Sequence, residues 1–305
     1  MSSPEFSIII PTYNRPDCLE QCLHSLVRLD YPRDCFEIVV VDDGSRMPLT
    51  SVTEKFSSLL SLRLIQQQNA GPAAARNTGA AAAQGHYLVF TDDDCQPAPD
   101  WLTALAVACK QVPNALIGGR TLNALPDNLC ATASQLLIDY IYDYYNPGKG
   151  EATFFASNNF AMPRDIYQQL KGFDTSFPLA AGEDREFCDR WRHHGFFMHY
   201  APEMQLKHAH NLTLASFWRQ HFNYGRGAFH FNRVRSQRQA KPMQVEPLTF
   251  YFQLLTYPFT RDQGLRSFSL SGLFFISQVA NVVGFAWEKY KQRSTTSTVT
   301  ATSSS

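Results

Sequence analysis

Short, unbroken apolar runs alternating with helical segments organise the first 120 residues. Phe6–Ile10, Glu37–Val41, Leu62–Ile65 and Tyr87–Phe90 read as strands. Runs that are apolar at successive positions belong to a parallel sheet buried on both faces. Between them, Pro16–Leu29 opens on Pro-Asp, Pro72–Gln84 is rich in alanine and Pro99–Gln111 opens on Pro-Asp-Trp, as helices do. The alternation predicts the α/β class, a mostly parallel sheet flanked by helices with right-handed crossovers. From about 121 to 203 the pattern mixes helix and loop. Ala131–Tyr145 has helical spacing and is broken by Asn146-Pro147-Gly148, and Arg185–His194 is a helix stopped by Gly195.

Sheets of this kind bind ligands in the crevice at the carboxyl ends of their strands. Each strong strand ends in polar residues: Pro11-Thr12-Tyr13-Asn14-Arg15, Asp42-Asp43-Gly44-Ser45 and Thr91-Asp92-Asp93-Asp94. Three polar clusters at three strand ends are expected to meet in one site. The Asp triplet is the sharpest signal. Clustered carboxylates repel, and a hard divalent ion, Mg²⁺ or Mn²⁺, relieves the repulsion and bridges to phosphate. The alternative is a solvated acidic turn capping the next helix. Asp42 to Ser45 taken alone reads as a plain turn, for which Asp-Gly is common. Gly71-Pro72-Ala73-Ala74-Ala75-Arg76-Asn77 opens a helix whose N-terminus attracts phosphate, and its small residues predict tight packing that leaves Arg76 conspicuous.

The last third turns apolar. Leu248–Thr260 is too short to span a membrane, whereas Ser267–Trp287 has 21 residues without charge, the length of a span. Gln278, Asn281 and its serines make insertion marginal. Interfacial helices or helices packed on the catalytic domain fit as well. Residues 294–305 are rich in Ser and Thr and are expected to be disordered.

Composition narrows the classes. Apolar residues at 44% supply a core, and 27 basic against 27 acidic side chains give no net charge, which argues against a nucleic-acid partner. Seven scattered cysteines without a CxxC pair read as reduced thiols in a cytosolic protein. No signal peptide is expected, because the first apolar run ends at Pro11. The charge is uneven: Met204–Val245 holds seven Lys or Arg and no acid. It reads as a basic loop, or a helix followed by a loop, that closes over a diphosphate or faces an anionic acceptor or lipid.

Pro-Thr-Tyr-Asn-Arg at 11–15, Val-Asp-Asp-Gly-Ser at 41–45, Gly-Pro-Ala-Ala-Ala-Arg-Asn at 71–77, the triplet at 92–94 and Gly-Glu-Asp at 182–184 occur in that order. Together they resemble the inverting family 2 glycosyltransferases of GT-A fold, over roughly residues 5–235. The resemblance implies that Thr12 and Arg15 line a nucleotide pocket and that Asp42, with Asp43 as its neighbour, holds the base. It implies that Arg76 approaches the nucleotide, that Asp92 lies by the ribose and that Asp94 ligates Mn²⁺ or Mg²⁺. Asp93 fills the middle of the family's Asp-x-Asp pattern and shares a role. Asp184, or else Glu183, matches the catalytic base, since an inverting transfer needs a carboxylate to take the acceptor's proton. In related sequences a histidine after the base helix completes the metal site, and His208 of Lys207-His208-Ala209-His210 is the better match. Phe154–Phe160 resembles the segment between donor and acceptor, which offers Asn158, and Arg226 is a further donor-sugar or acceptor candidate. Trp101 and Trp191 sit at helical spacing and read as core.

The implied activity is transfer of a sugar from a nucleotide-diphosphate donor, UDP first, to a hydroxyl of a glycan or lipid-linked acceptor. The expected domains are a catalytic domain at 1–235, with its nucleotide-binding half at 1–120 and its acceptor half at 121–235, and an apolar helical extension at 236–293. Peripheral membrane contact through 248–287 places the chain at the cytoplasmic, inner face of the cell membrane. A nucleotidyltransferase would carry a Gly-rich loop after its first strand, and a dehydrogenase would carry GxGxxG; neither is present. A non-catalytic sugar- or nucleotide-binding protein would not need the Asp triplet and Asp184 together.

Overall fold

The computed structural model describes residues 3–146, 152–177, 181–240, 243, 246–262 and 264–302, with side chains in the last helix as far as 292. Its elements are β1 (Phe6–Thr12), α1 (Pro16–Val27), β2 (Phe36–Asp42), α2 (Thr50–Glu54), β3 (Leu62–Gln66), α3 (Pro72–Ala82), β4 (Tyr87–Thr91), β5 (Cys95–Pro97), α4 (Trp101–Gln111) and β6 (Leu116–Asn123). There follow α5 (Leu129–Tyr145), β7 (Asn159–Pro163), α6 (Arg164–Gln169), α7 (Glu183–His193), β8 (Met198–His208), α8 (Leu214–Gln239), α9 (Leu248–Thr256), α10 (Pro258–Arg261) and α11 (Leu265–Thr302).

One eight-stranded sheet carries the fold, in the order β3-β2-β1-β4-β7-β6-β8-β5. β1 pairs in parallel with β2 and β4, as the strand–helix alternation predicts. Every residue of β1 and β2 is buried. Ile8, Ile10, Ile38 and Val40 face a core shared with α1 and α4, whereas Ile9 packs with α3, Phe187 and Trp191 on the other side. Successive side chains of a strand point to opposite faces, so a sheet covered on both sides requires apolar residues at every position. Trp101 and Trp191 are fully buried, as expected, and donate to the Asn159 side chain and the Phe197 carbonyl.

The expectation of helix and loop over 121–203 is corrected. β7, the end of β6 and the start of β8 lie here, with β7 antiparallel to β4 and to β6. β6 hides behind its glycines: a Cβ on Gly118 would lie 2.2 Å from the Phe155 ring, and one on Gly119 2.2 Å from the Met204 carbonyl oxygen. The register between β6 and β8 also shifts after Gly119.

The C-terminal region departs from the reading in two ways. The boundary expected at 235 falls inside α8. Leu254, Leu270 and Phe274 of the extension share a core with Tyr140 of α5 and Phe217 of α8. Second, α11 continues to Thr302 through the segment expected to be disordered, because no Gly or Pro follows Gly284 and extending a helix costs less than starting one. Residues 303–305, like Pro147 and Gly148, lie outside the described residues.

Candidate functional site

The three polar strand ends do meet. Thr12 stands opposite Asp42 across the β1–β2 pair, and the Asp43 amide donates to the Thr12 carbonyl at 2.9 Å. After β1 the chain turns through Asn14, whose φ is +56°. This left-handed conformation suits asparagine among non-glycine residues. Its side-chain oxygen accepts from the Arg46 amide and its own amide donates to the Ser45 hydroxyl, so the loop after β1 is tied to the loop after β2.

That tie delivers Arg15 to the acidic triplet rather than to open solvent. Arg15 Nη2 lies 2.6 Å from Asp93 and Nη1 2.8 Å from Asp94. Asp93 is fully buried beside the Thr12 hydroxyl, and burial pushes its carboxyl up to about 7 against the pull of Arg15. β5 pairs antiparallel with the end of β8, setting His208 opposite Cys95. His208 Nε2 reaches Asp94 at 3.1 Å. Burial disfavours both charges, yet the attraction wins: His208 and Arg15 hold the Asp94 carboxyl well below the ordinary range, and Asp94 raises the His208 imidazole. The His210 ring lies 5.1 Å from that of His208 and is pushed down to about 4 by burial and by that neighbour.

Asp42 and Asp43, alternatives in the sequence, separate. The Asp43 carboxylate is filled by donors from the Gln67 side chain and the Ala70 and Gly71 amides, at 2.6, 2.9 and 2.9 Å. It ties the end of β2 to the start of α3. Asp42 uses one oxygen, on the Ser45 amide at 2.9 Å, which is the Asp-Gly turn read in the sequence.

Arg76 is buried under the site and bridges Asp92 at 2.9 Å to Glu183 at 3.0 Å, with its guanidinium over the Phe173 ring. Alanines before and after it let α3 pack tightly, and the conspicuous cation serves carboxylates from two distant segments.

Gly182 caps α7 with φ +90°, and Glu183 and Asp184 open its first turn, where acids are favoured. Glu183 spends Oε1 on Arg76; burial, with repulsion from Asp184, pushes it up to about 7. Asp184 is half-buried and accepts from the Arg185 and Ser157 amides. Burial raises its carboxyl as well. The Ser157 contact brings Asn158, itself buried, to the base.

The basic segment is not a loop over this site. Most of it is α8, and three of its arginines pair with acids from elsewhere in the chain. Arg226 binds Glu288 at 2.7 Å, Arg235 and Arg238 bind Asp189 at 3.2 and 2.8 Å, and Arg233 meets Gln292 at 2.5 Å. The missing acids of 204–245 stand on α7 and α11. Arg226, expected at the sugar, is thereby committed to α11.

Three features escaped the sequence reading. Cys95 joins Asp94 and His208, each offering one donor atom within 4.8 Å of the others. The Ser157 amide orients Asp184. The Tyr224 hydroxyl feels the Asp184, Glu183 and Asp92 charges. The Asp94 carboxylate and His208 imidazole fit a divalent cation, and the imidazole suits Mn²⁺ better than Mg²⁺; burial and the Asp94 and Asp92 charges push the Cys95 thiol well up, which keeps it in the poorly ligating protonated form.

A family model described as glycosyl transferase family 2 matches residues 7–171. Glycosyltransferase AglE of Haloferax volcanii is 26% identical over 203 residues, 66% of this chain and 66% of that protein. The probable glycosyltransferase YdaM of Bacillus subtilis is 27% identical over 237 residues, 73% of this chain and 55% of that one. The chain thus spans about two thirds of these relatives or less. Among solved structures, the mannosyltransferase PcManGT from Pyrobaculum calidifontis, in complex with GDP-Man and Mn²⁺, superposes with a TM-score of 0.65 at 19% identity over 95% of this chain and 89% of that one. Staphylococcus aureus TarS 1–349, in complex with UDP-GlcNAc, gives 0.53 at 16% identity over 95% and 92%.

Proposed function

The chain belongs to glycosyl transferase family 2, and from that premise we propose that it moves a sugar, with inversion, from a nucleotide-diphosphate donor to a hydroxyl of a glycan or lipid-linked acceptor. One observation carries the reading: Arg76 joins the first carboxylate of the strand-end triplet to the Glu183-Asp184 pair, so donor-side and base-side acids form one site.

In this reading Asp42 accepts from the base with its remaining oxygen, Thr12 and Arg15 border the nucleotide and Asp92 faces the ribose. Uracil offers an N3–H to such a carboxylate, which favours UDP. Guanine also offers N–H donors, so titration of UDP against GDP assigns the base. Asp94 and His208 would hold Mn²⁺ or Mg²⁺, which neutralises charge on the leaving diphosphate. Asp184 takes the acceptor proton while the acceptor oxygen bonds to the anomeric carbon and the carbon–oxygen bond to the diphosphate breaks. Asp184 is assigned over Glu183 because Glu183 is bound to Arg76.

Incubation with a panel of UDP-, GDP- and dTDP-sugars tests the proposal. One nucleotide sugar is expected to be turned over, and its sugar to be delivered with inverted configuration by NMR; a retained configuration contradicts the mechanism. The same assay carries a pH prediction. Glu183 is raised to about 7 and Asp184 is raised with it, so the pair gains its second charge as pH rises through about 7. The rate is expected to climb with pH and level off above that point. Glu183→Gln removes the charge that Asp184 faces and is expected to move the rise to lower pH. A rate falling over that interval contradicts the assignment.

We also place the chain at the inner face of the membrane. By length and composition α11 is the one helix among the described residues that could cross, with mean hydropathy 1.5 over an 18-residue window within Leu265–Gln292. Leu270, Phe274 and Ala280 face the domain, however, and Glu288 pairs with Arg226, while Phe268, Phe275, Val282, Trp287 and Tyr290 are exposed. A helix packed lengthwise on its own domain lies along a bilayer surface rather than through it. Co-sedimentation with anionic vesicles is expected, and protein left in the supernatant at low salt contradicts the contact.

A further inference from the structure

The Gly225-Arg226-Gly227 turn of α8 meets two separate parts of the chain. A Cβ on Gly225 would lie 2.0 Å from the Asn281 carbonyl oxygen of α11, and one on Gly284 of α11 1.9 Å from that of Phe222. A Cβ on Gly227 would lie 2.2 Å from the Ala181 carbonyl oxygen, and one on Gly182 3.1 Å from that of Gly227. Residues two apart on an α-helix point about 200° away from each other. α8 is therefore bare on two opposed faces. The α11 backbone lies against one, and the two residues that lead into Glu183-Asp184 lie against the other.

Side chains lock both contacts. Toward α11, Arg226 Nε binds the buried Glu288 carboxylate at 2.7 Å, and the Phe229 and Phe285 rings meet edge to face at 5.2 Å. Toward the base pair, His230 Nε2 and the Ser176 hydroxyl lie 3.1 Å apart, and the His230 ring meets Phe177 at 4.5 Å. The Phe231 ring lies 5.0 Å from the Arg185 guanidinium, and Arg238 binds Glu186 and Asp189. Arg185 is the residue whose amide donates to Asp184 Oδ1 at 2.7 Å. α8 thus holds the chain on both sides of Asp184.

Two glycines within three residues of a helix each cost about 1 kcal/mol relative to alanine, and the close approach on both faces is what they supply. Packed interiors have low compressibility and transmit strain. At these contacts α8 offers backbone alone, with no side chain that could turn aside, so a displacement of α11 passes to residues 181 and 182.

We propose that Gly225, Arg226 and Gly227 are positioning residues of the transfer: through them the seat of α11 fixes where Asp184 stands, which makes the C-terminal helix part of the catalytic unit. This rests on the glycosyltransferase reading, with Asp184 as its base. A displacement of about 1 Å near a reacting centre can cost about 10²-fold in rate, so a contact that touches neither substrate nor base still governs turnover.

Glu288→Gln, which weakens the α11 side of the contact from a distance, tests it in the full chain, with Gly225→Ala as the steric counterpart. Hydrogen exchange read by mass spectrometry follows α7, whose Glu186 amide donates to the Gly182 carbonyl at 2.9 Å. Each variant is expected to speed α7 exchange at least about threefold and to leave β1 unchanged. On the donor that the panel identifies, kcat is expected to fall at least about threefold, with donor KM and nucleotide affinity held within about twofold. In an Asp184→Asn background Glu288→Gln is expected to lower the residual rate less than about twofold, because its effect acts through the base. A smaller change in α7 exchange in Glu288→Gln overturns the inference, as does an equal rise in β1, which marks general loosening. A smaller fall in kcat, or a full further loss in the Asp184→Asn background, assigns α11 to stability alone and also overturns it. Should Gly225→Ala fail to fold, Glu288→Gln decides by itself. A wild type that turns over no nucleotide sugar removes the premise and the inference with it, whatever the exchange shows.

Discussion

Asp184→Asn is expected to lower the transfer rate by about 10²–10⁴-fold, the usual worth of a positioned general base, while leaving nucleotide affinity within a factor of about two. The expectation follows from how the two acids of the pair are spent. Glu183 is held by Arg76 and closed off from solvent, whereas Asp184 keeps partial exposure and is oriented by the Arg185 and Ser157 amides. Asparagine preserves size and keeps one acceptor oxygen for the Arg185 amide, so the loss is chiefly that of proton removal. Initial rates on the donor found by the panel decide it. A rate within tenfold of wild type returns the role to Glu183, and Glu183→Gln then becomes the inactive variant.

The second large effect is on stability. Arg76→Ala is expected to cost about 3–5 kcal/mol in urea unfolding, the usual result of removing one partner from a buried ion network. Arg76 is 4% exposed and serves Asp92 and Glu183 together. Without it Glu183 remains buried beside Asp184 with no counter-charge, and its carboxyl rises further. Lysine is no substitute, because a single ammonium lacks the fork that reaches two carboxylates at once. A loss under about 1 kcal/mol would mean that the bridge is not what joins α3 to the base pair.

How much of this was legible depends on whether a residue's partner is near in sequence or sheet position. β1, β2 and β4 announce themselves because strands buried on both faces must be apolar throughout, and their polar ends mark the site directly. Asp94, the Glu183-Asp184 pair and His208 were singled out by the family resemblance instead; His208 lies against Asp94, and Glu183 is joined to Asp92 through Arg76. β6 was not legible, since glycines chosen for the closeness of Phe155 and Met204 look like loop residues until those neighbours are known. The protein partners of Arg76 and Arg226 were not legible for one physical reason. Each is a cation whose counter-charge lies far along the chain, at Glu183 and Glu288, and a window that shows only the cation suggests a ligand instead. Asp43 shows the converse: its partners at 67–71 lead into the next helix, and only the fold shows that its carboxylate is already filled.

The central claim is that the strand-end acids and His208 make a cation-dependent nucleotide site. Calorimetric titration of UDP, GDP and dTDP into the full chain, with and without Mn²⁺, for wild type and Asp94→Asn, tests it most directly. The account predicts that one nucleotide binds, that Mn²⁺ strengthens it at least about tenfold, and that Asp94→Asn removes the Mn²⁺ effect. Equal binding with and without Mn²⁺, or an Mn²⁺ effect that survives Asp94→Asn, would contradict it.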